Sequence, residues 1–158
     1  MSLCSRRTIL RCLGASLGAC GLGCSASSST DAPAPTHHDE VRVPVASLVV
    51  GAVFDPSAAG CEASRGVLVG RDEKGVYAYS NVCTHQGGRV PGPDAEGISR
   101  CCLHGSRFDR TGALVSGITP GQGDLPHYRL HLEGTGVDAV VVVDLSQEQM
   151  DRSARLAL

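Results

Sequence analysis

The chain has 158 residues, the size of one ordinary domain, a formal net charge of −2, and no basic cluster of the kind nucleic acid requires. With two Phe, three Tyr and no Trp, a core has to rest on Val, Leu, Ile and Ala. Twenty Gly and eight Pro point away from a helical bundle and toward a loop-rich β protein, and the strand pattern along the chain reads as all-β and antiparallel.

Residues 1–24 differ in composition from the remainder of the chain. Ser5-Arg6-Arg7-Thr8-Ile9-Leu10-Arg11 is a basic head, and Cys12 to Gly23 a weakly apolar run. This is the layout of a bacterial secretory signal, and the paired Arg gives it the twin-arginine form. The run falls short of the roughly 20 residues a helix needs to cross a bilayer, so processing is expected rather than a retained span. Leu17-Gly18-Ala19-Cys20 matches a lipoprotein cleavage box, with Cys24 a poorer second, so a lipid tether is expected; the alternative is a plain cleaved signal. Without this segment the formal net charge becomes −5.

Residues 25–40 are Ser, Thr, Ala, Pro and Asp without apolar period and read as a flexible linker, in which His37 and His38 are solvated. A folded domain is expected over 41–145. Val41, Val43 and Val45 alternate with polar neighbours, and Leu48 to Phe54 adds a second apolar stretch. Gly66 to Val69 and Gly75 to Tyr79 predict a hairpin around Asp72-Glu73-Lys74-Gly75. Tyr128, Leu130 and Leu132 predict a half-buried strand, with His127 at its entrance and His131 on its polar face; neither His is a site candidate. Ala139 to Val143 reads as a buried strand paired across Glu133-Gly134-Thr135-Gly136. The tail, 146–158, turns faintly helical at Gln147, Met150, Ala154 and Leu156.

The chemistry sits between these strands, in Cys83-Thr84-His85 and Cys101-Cys102-Leu103-His104-Gly105-Ser106, which together spell C-x-H-x15-C-x2-H. Each segment offers one thiolate and one imidazole beside glycines that let backbone N–H groups approach a bound group. Three uses compete at this level. A structural zinc accepts two Cys and two His, although zinc sites usually place like ligands together. A disulfide framework could use the eight Cys, of which Cys4, Cys12, Cys20 and Cys24 fall in the signal and Cys61, Cys83, Cys101 and Cys102 remain. An iron–sulfur centre with two His on one iron uses the set as it stands.

These residues resemble the two ligand boxes of the Rieske [2Fe–2S] domain, and the likeness extends to Phe108-Asp109 and Gly112. The resemblance implies a Rieske-like antiparallel β-sandwich with two cluster-binding loops. It further implies that Cys83 and Cys101 hold the inner iron and His85 and His104 the outer one, facing solvent. Gly117-Ile118-Thr119-Pro120-Gly121 resembles the loop covering the cluster from a third side, and Gly88, Gly105, Ser106, Phe108 and Pro120 would line the site. Ser106 matches a Ser that donates to a bridging sulfide. Phe108 stands where high-potential members carry a donating Tyr. Gly88 and Leu103 stand where respiratory members form a disulfide. Cys102 is then free either to pair with Cys61 or to pack as a small apolar residue. The resemblance thus implies an intermediate potential, below that of the respiratory members.

The function implied is that of a periplasmic, membrane-tethered one-electron carrier. Its partner would be a c-type cytochrome, an oxidase large subunit or a quinol oxidoreductase, docking over His85 and His104. Two neighbouring readings are the small electron-transfer subunit of an exported oxidase, resembling arsenite oxidase, and a subunit of a cytochrome bc-type complex. The non-redox reading is a zinc-stabilised binding module. No side-chain set suggests independent substrate chemistry: Asp109 and Asp124 read as turn residues, and any enzyme activity would belong to the complex served.

Overall fold

The computed structural model describes residues 39–57, 60–61 and 66–158. The expected signal and linker, with Cys20, Cys24, His37 and His38, lie outside them apart from the linker's last two residues. Among the described residues nine strands form two antiparallel sheets, and no helix is long and apolar enough to cross a membrane. The larger sheet contains β1 (Glu40–Pro44), β2 (Val53–Phe54), β3 (Val67–Asp72), β4 (Gly75–Ser80), β8 (His127–Glu133) and β9 (Val140–Gln149), in the order β1-β9-β8-β4-β3-β2. The smaller sheet is a meander of β5 (Ile98–Arg100), β6 (Arg107–Asp109) and β7 (Leu114–Ser116).

The β3–β4 hairpin anchors the domain. Asp72 pairs with Gly75, and the Asp72 carboxylate accepts from the N–H groups of Lys74 and Gly75, closing the turn that the sequence predicted. Both strands are buried on both faces, as near-continuous apolar runs in a sheet should be. Side chains alternate across a strand. Val67, Val69, Val76 and Ala78 accordingly join Val43, Leu48, Val141 and Val143 in one core. Leu68, Tyr77 and Tyr79 join Cys83, Val90, Cys101, Phe108 and Leu125 in the other. This second core welds the larger sheet to the loops carrying the candidate ligands.

The tail departs from its faintly helical reading. β9 continues to Gln149, and Leu156 then bridges back to Val76 through a reciprocal pair of backbone hydrogen bonds. Met150, counted toward a helical face, is 92% exposed. The strand gets past its polar stretch through a bulge: pairing jumps from Arg129↔Asp144 to Tyr128↔Glu148. The Asp144 carboxylate ties down the looped-out residues by accepting from the N–H and hydroxyl of Ser146.

Candidate metal centre

Two turns of one design present the candidate ligands. In the first, the Cys83 N–H donates to the Gly88 carbonyl at 2.7 Å and the Gly87 N–H donates to the Cys83 carbonyl at 2.8 Å. In the second, the Cys101 N–H donates to the Ser106 carbonyl at 2.8 Å and the Gly105 N–H to the Cys101 carbonyl at 2.9 Å. Gly87 and Gly105 have φ of +65° and +80°, a backbone state that side-chain-bearing residues seldom adopt. A bond from the Cys102 N–H to the Arg89 carbonyl (2.9 Å) holds the turns together.

The structure brings Cys83, Cys101, His85 and His104 to one place. Both thiols are buried, and the two imidazoles meet edge to face with ring centroids 5.0 Å apart. His85 is half-buried and His104 exposed. Burial pushes the Cys83 thiol up, and the Cys101 thiol beside it acts the same way; the N–H of His85 and the Ser106 hydroxyl, both within reach of the sulfur, oppose them. Among the described residues no three His, Cys, Asp or Glu side chains are grouped as a single ion would need. The donors form a sulfur pair and an imidazole pair.

Two observations test whether a two-iron group fits. His85 Nδ1 is buried without a hydrogen-bond partner, the state expected of a nitrogen reserved for a metal. Gly88 lies so close to the site that an added Cβ would stand 2.9 Å from the Cys101 sulfur and 2.6 Å from Leu103 Cβ. The backbone is therefore drawn against the ligand pocket, and Gly88 and Leu103 touch where the resemblance placed a disulfide in other proteins. The residues present fit the group.

The remaining candidates divide. Ser106 and Phe108 are fully buried, Phe108 in the core that contains both ligand cysteines. Pro120 is exposed. Cys61 and Cys102 form a disulfide, with Cα atoms 5.6 Å apart. Asp109 and Asp124 serve turns, accepting from Thr111 and Ala113 and from Leu114.

Two residues without a role in the sequence pattern support the site. Arg89, between the two Cys/His segments, is 5% exposed and forms an ion pair with Asp55. It also donates to Ser57 Oγ at 3.0 Å and to the Gly60 carbonyl, fastening the segment that bears Cys61 beneath the first turn. Gln122, from the third loop, reaches Cys83, Thr84, Ser106 and Ile118. The Thr84 hydroxyl secures that loop by donating to the Gly123 carbonyl at 2.7 Å.

The family profile described as the Rieske [2Fe–2S] domain matches residues 51–129. The cytochrome b6-f complex iron-sulfur subunit of Synechococcus elongatus is 36% identical over 74 residues, 47% of this chain and 37% of that one. The cytochrome b6-f complex iron-sulfur subunit 2 of the Cyanophora paradoxa cyanelle is 41% identical over 58 residues, 37% of this chain and 24% of that one. The chain thus spans well under half the length of these curated relatives. Among solved structures, the ferredoxin of carbazole 1,9a-dioxygenase from Nocardioides aromaticivorans IC177 aligns with a TM-score of 0.39 at 29% identity, over 65% of this chain and 95% of that one. The cyanobacterial plasma membrane Rieske protein PetC3 from Synechocystis PCC 6803 aligns with a TM-score of 0.36 at 30% identity, over 49% of this chain and 85% of that one.

Proposed function

This chain belongs to the Rieske [2Fe–2S] domain family, and from that premise we propose that it is a periplasmic, membrane-tethered one-electron carrier. The observation that carries this reading is the convergence of two mixed Cys/His turns with His85 Nδ1 buried and without a partner. Cys83 and Cys101 would hold one iron through their thiolates, and His85 and His104 the other. The bound cluster supplies a one-electron couple. Two neutral imidazoles in place of two thiolates leave such a centre about two charges less negative and so easier to reduce. That difference separates potentials of about −150 to +300 mV from about −400 mV in all-thiolate plant-type ferredoxins.

The protein's own residues set where the electron enters and leaves. The buried cysteines shield one side, while exposed His104 offers a short route to a docking partner. Leu103, 54% exposed in the same turn, provides an apolar contact beside it. The −5 charge of residues 25–158 suits a partner with a basic docking face. Periplasmic residence and the lipid tether rest on the twin-arginine-type head and the box ending in Cys20. That route carries folded proteins, as a cluster loaded before export requires.

An electron-transfer subunit of an exported oxidase or of a cytochrome bc- or b6-f-type complex is the second reading, favoured by the b6-f relatives. Gly88 and Leu103 argue for the free-standing carrier of intermediate potential, since they fill the place of the respiratory disulfide. Equal iron and acid-labile sulfide, with an EPR signal of the reduced protein that is lost in His85→Cys and His104→Cys variants, is the expected result. Stoichiometric zinc in a colourless protein would establish the binding module instead. A potential at or above the respiratory range would remove the intermediate-potential assignment.

A further inference from the structure

The third loop carries a side chain whose two ends are both committed at the ligand site. Gln122 Oε1 lies 3.0 Å from the backbone N–H of Ile118 and 3.1 Å from the Ser106 hydroxyl. An amide N–H of the main chain can only donate, so the atom facing Ile118 has to be the carbonyl oxygen and the amide orientation is fixed. The opposite end, Nε2, lies 3.7 Å from Cys83 Sγ and 3.4 Å from Thr84 Oγ1. The Thr84 hydroxyl is spent on the Gly123 carbonyl, so its oxygen is an acceptor toward Gln122. One amide hydrogen therefore serves Thr84, and the other points at the Cys83 sulfur.

We propose that Gln122 is a positioning residue that sets the reduction potential of the centre by donating its side-chain amide N–H to the Cys83 thiolate. This role rests on the Rieske-cluster reading of the site. Reduction places one more electron on a centre whose negative charge is shared by its sulfur ligands. A donor at that sulfur stabilises the reduced state more than the oxidised one and raises the potential. The hydrogen stays on Gln122 throughout and only the electron moves. Phe108, the large buried side chain sharing a core with both ligand cysteines, has no hydrogen to donate, so the third loop supplies what β6 does not.

Ser106 has to be separated from this effect. Its single hydroxyl hydrogen is within reach of both Gln122 Oε1 and the Cys83 sulfur, so removing Gln122 could free it to donate to sulfur and mask the loss. The test therefore compares Gln122→Met and Gln122→Glu in the natural and Ser106→Ala backgrounds, using full-length cluster-loaded protein. EPR of the reduced state and iron content are recorded for each. Met keeps the unbranched length without a donor; Glu keeps the acceptor for Ile118 and replaces the donor with a carboxylate.

In the Ser106→Ala background both substitutions are expected to lower the potential, by about tenfold in the one-electron equilibrium, which is about 59 mV. The fall should be larger for Glu. An intact EPR signal with an unchanged or raised potential in that background overturns the proposal. So does failure of both variants to load iron, which would make Gln122 a loop anchor only. Absence of the signal from the unsubstituted protein would strike the cluster reading itself, and that result appears before any substitution is made.

Discussion

The Cys61–Cys102 disulfide permits a quantitative test of how the ligand turn is held. Its half-cystines are 41 residues apart in sequence, and Cys102 adjoins the ligand Cys101. Removing the bond by Cys61→Ser/Cys102→Ser frees a loop of that length in the unfolded chain. The chain-entropy relation makes the loss about 4 kcal/mol at 25 °C. The folded geometry should survive, because the segment bearing Cys61 is also fixed by Arg89 through Asp55, Ser57 and the Gly60 carbonyl. The second turn is likewise pinned by the Cys102 N–H on the Arg89 carbonyl. With a urea slope of about 2 kcal/mol/M, the midpoint should fall by about 2 M while iron content stays that of the parent. Loss of ellipticity and of visible colour in urea measures the first quantity, and a metal assay the second. A midpoint shift below about 0.5 M would refute the loop-closure argument. Retained stability with lost iron would show that the disulfide, not Arg89, shapes the turn.

Three further outcomes are expected. Gly88→Ala forces a Cβ against Leu103 and the Cys101 sulfur, and should reduce iron and sulfide per chain while costing about 1–3 kcal/mol in denaturant titrations; full occupancy would show that the turns yield. Phe108→Tyr adds a donor within the buried core shared by both cysteines, and should raise the midpoint of a redox titration by tens of millivolts, where about 59 mV is a factor of ten; a fall would rule out a hydroxyl near sulfur. His127 is held below its ordinary value of 6.5 chiefly by burial, so just below that pH it takes up a proton more readily in the unfolded chain than in the fold. The unfolded state then binds more protons below pH 6.5, so stability is full above that value and falls as pH drops toward the folded-state value. His127→Gln should flatten that slope in urea midpoints between about pH 6.5 and 5, a window above the ordinary carboxylate range.

Much of the molecule could be read from local pattern. The apolar runs of β3 and β4, the alternation in β8, the Asp72–Gly75 turn and the two Cys/His segments are all signals carried within a few residues. The parts that escaped depend on contacts between distant segments. Gln122 is 39 residues from Cys83, and one Gln in a Gly-rich loop has no periodicity to betray it. Arg89 carries no local signal of burial because its partner, Asp55, lies 34 residues away; the ion pair helps make that burial tolerable. The tail read as faintly helical because Met150 and Ala154 fell at helical spacing by chance, whereas the backbone bridge of Leu156 to Val76 follows no side-chain period at all.

The candidate site also shows which spacing does the architectural work. Read as ligand pairs, the two segments differ, with one residue between Cys83 and His85 and two between Cys101 and His104. Read as backbone, they are the same turn, because Cys83-x3-Gly87 and Cys101-x3-Gly105 close with equivalent hydrogen bonds around a glycine of positive φ. The shared Cys-x3-Gly interval therefore builds the scaffold, and the position of His within it aims the imidazole. Displaced by one residue between otherwise matching turns, the two rings meet edge to face, one half-buried and one exposed. That asymmetry gives His85 a sheltered Nδ1 and leaves His104 as the side chain a partner can reach. A single ion wrapped by four converging donors would gain nothing from it, whereas a two-iron group that exchanges electrons at one edge would.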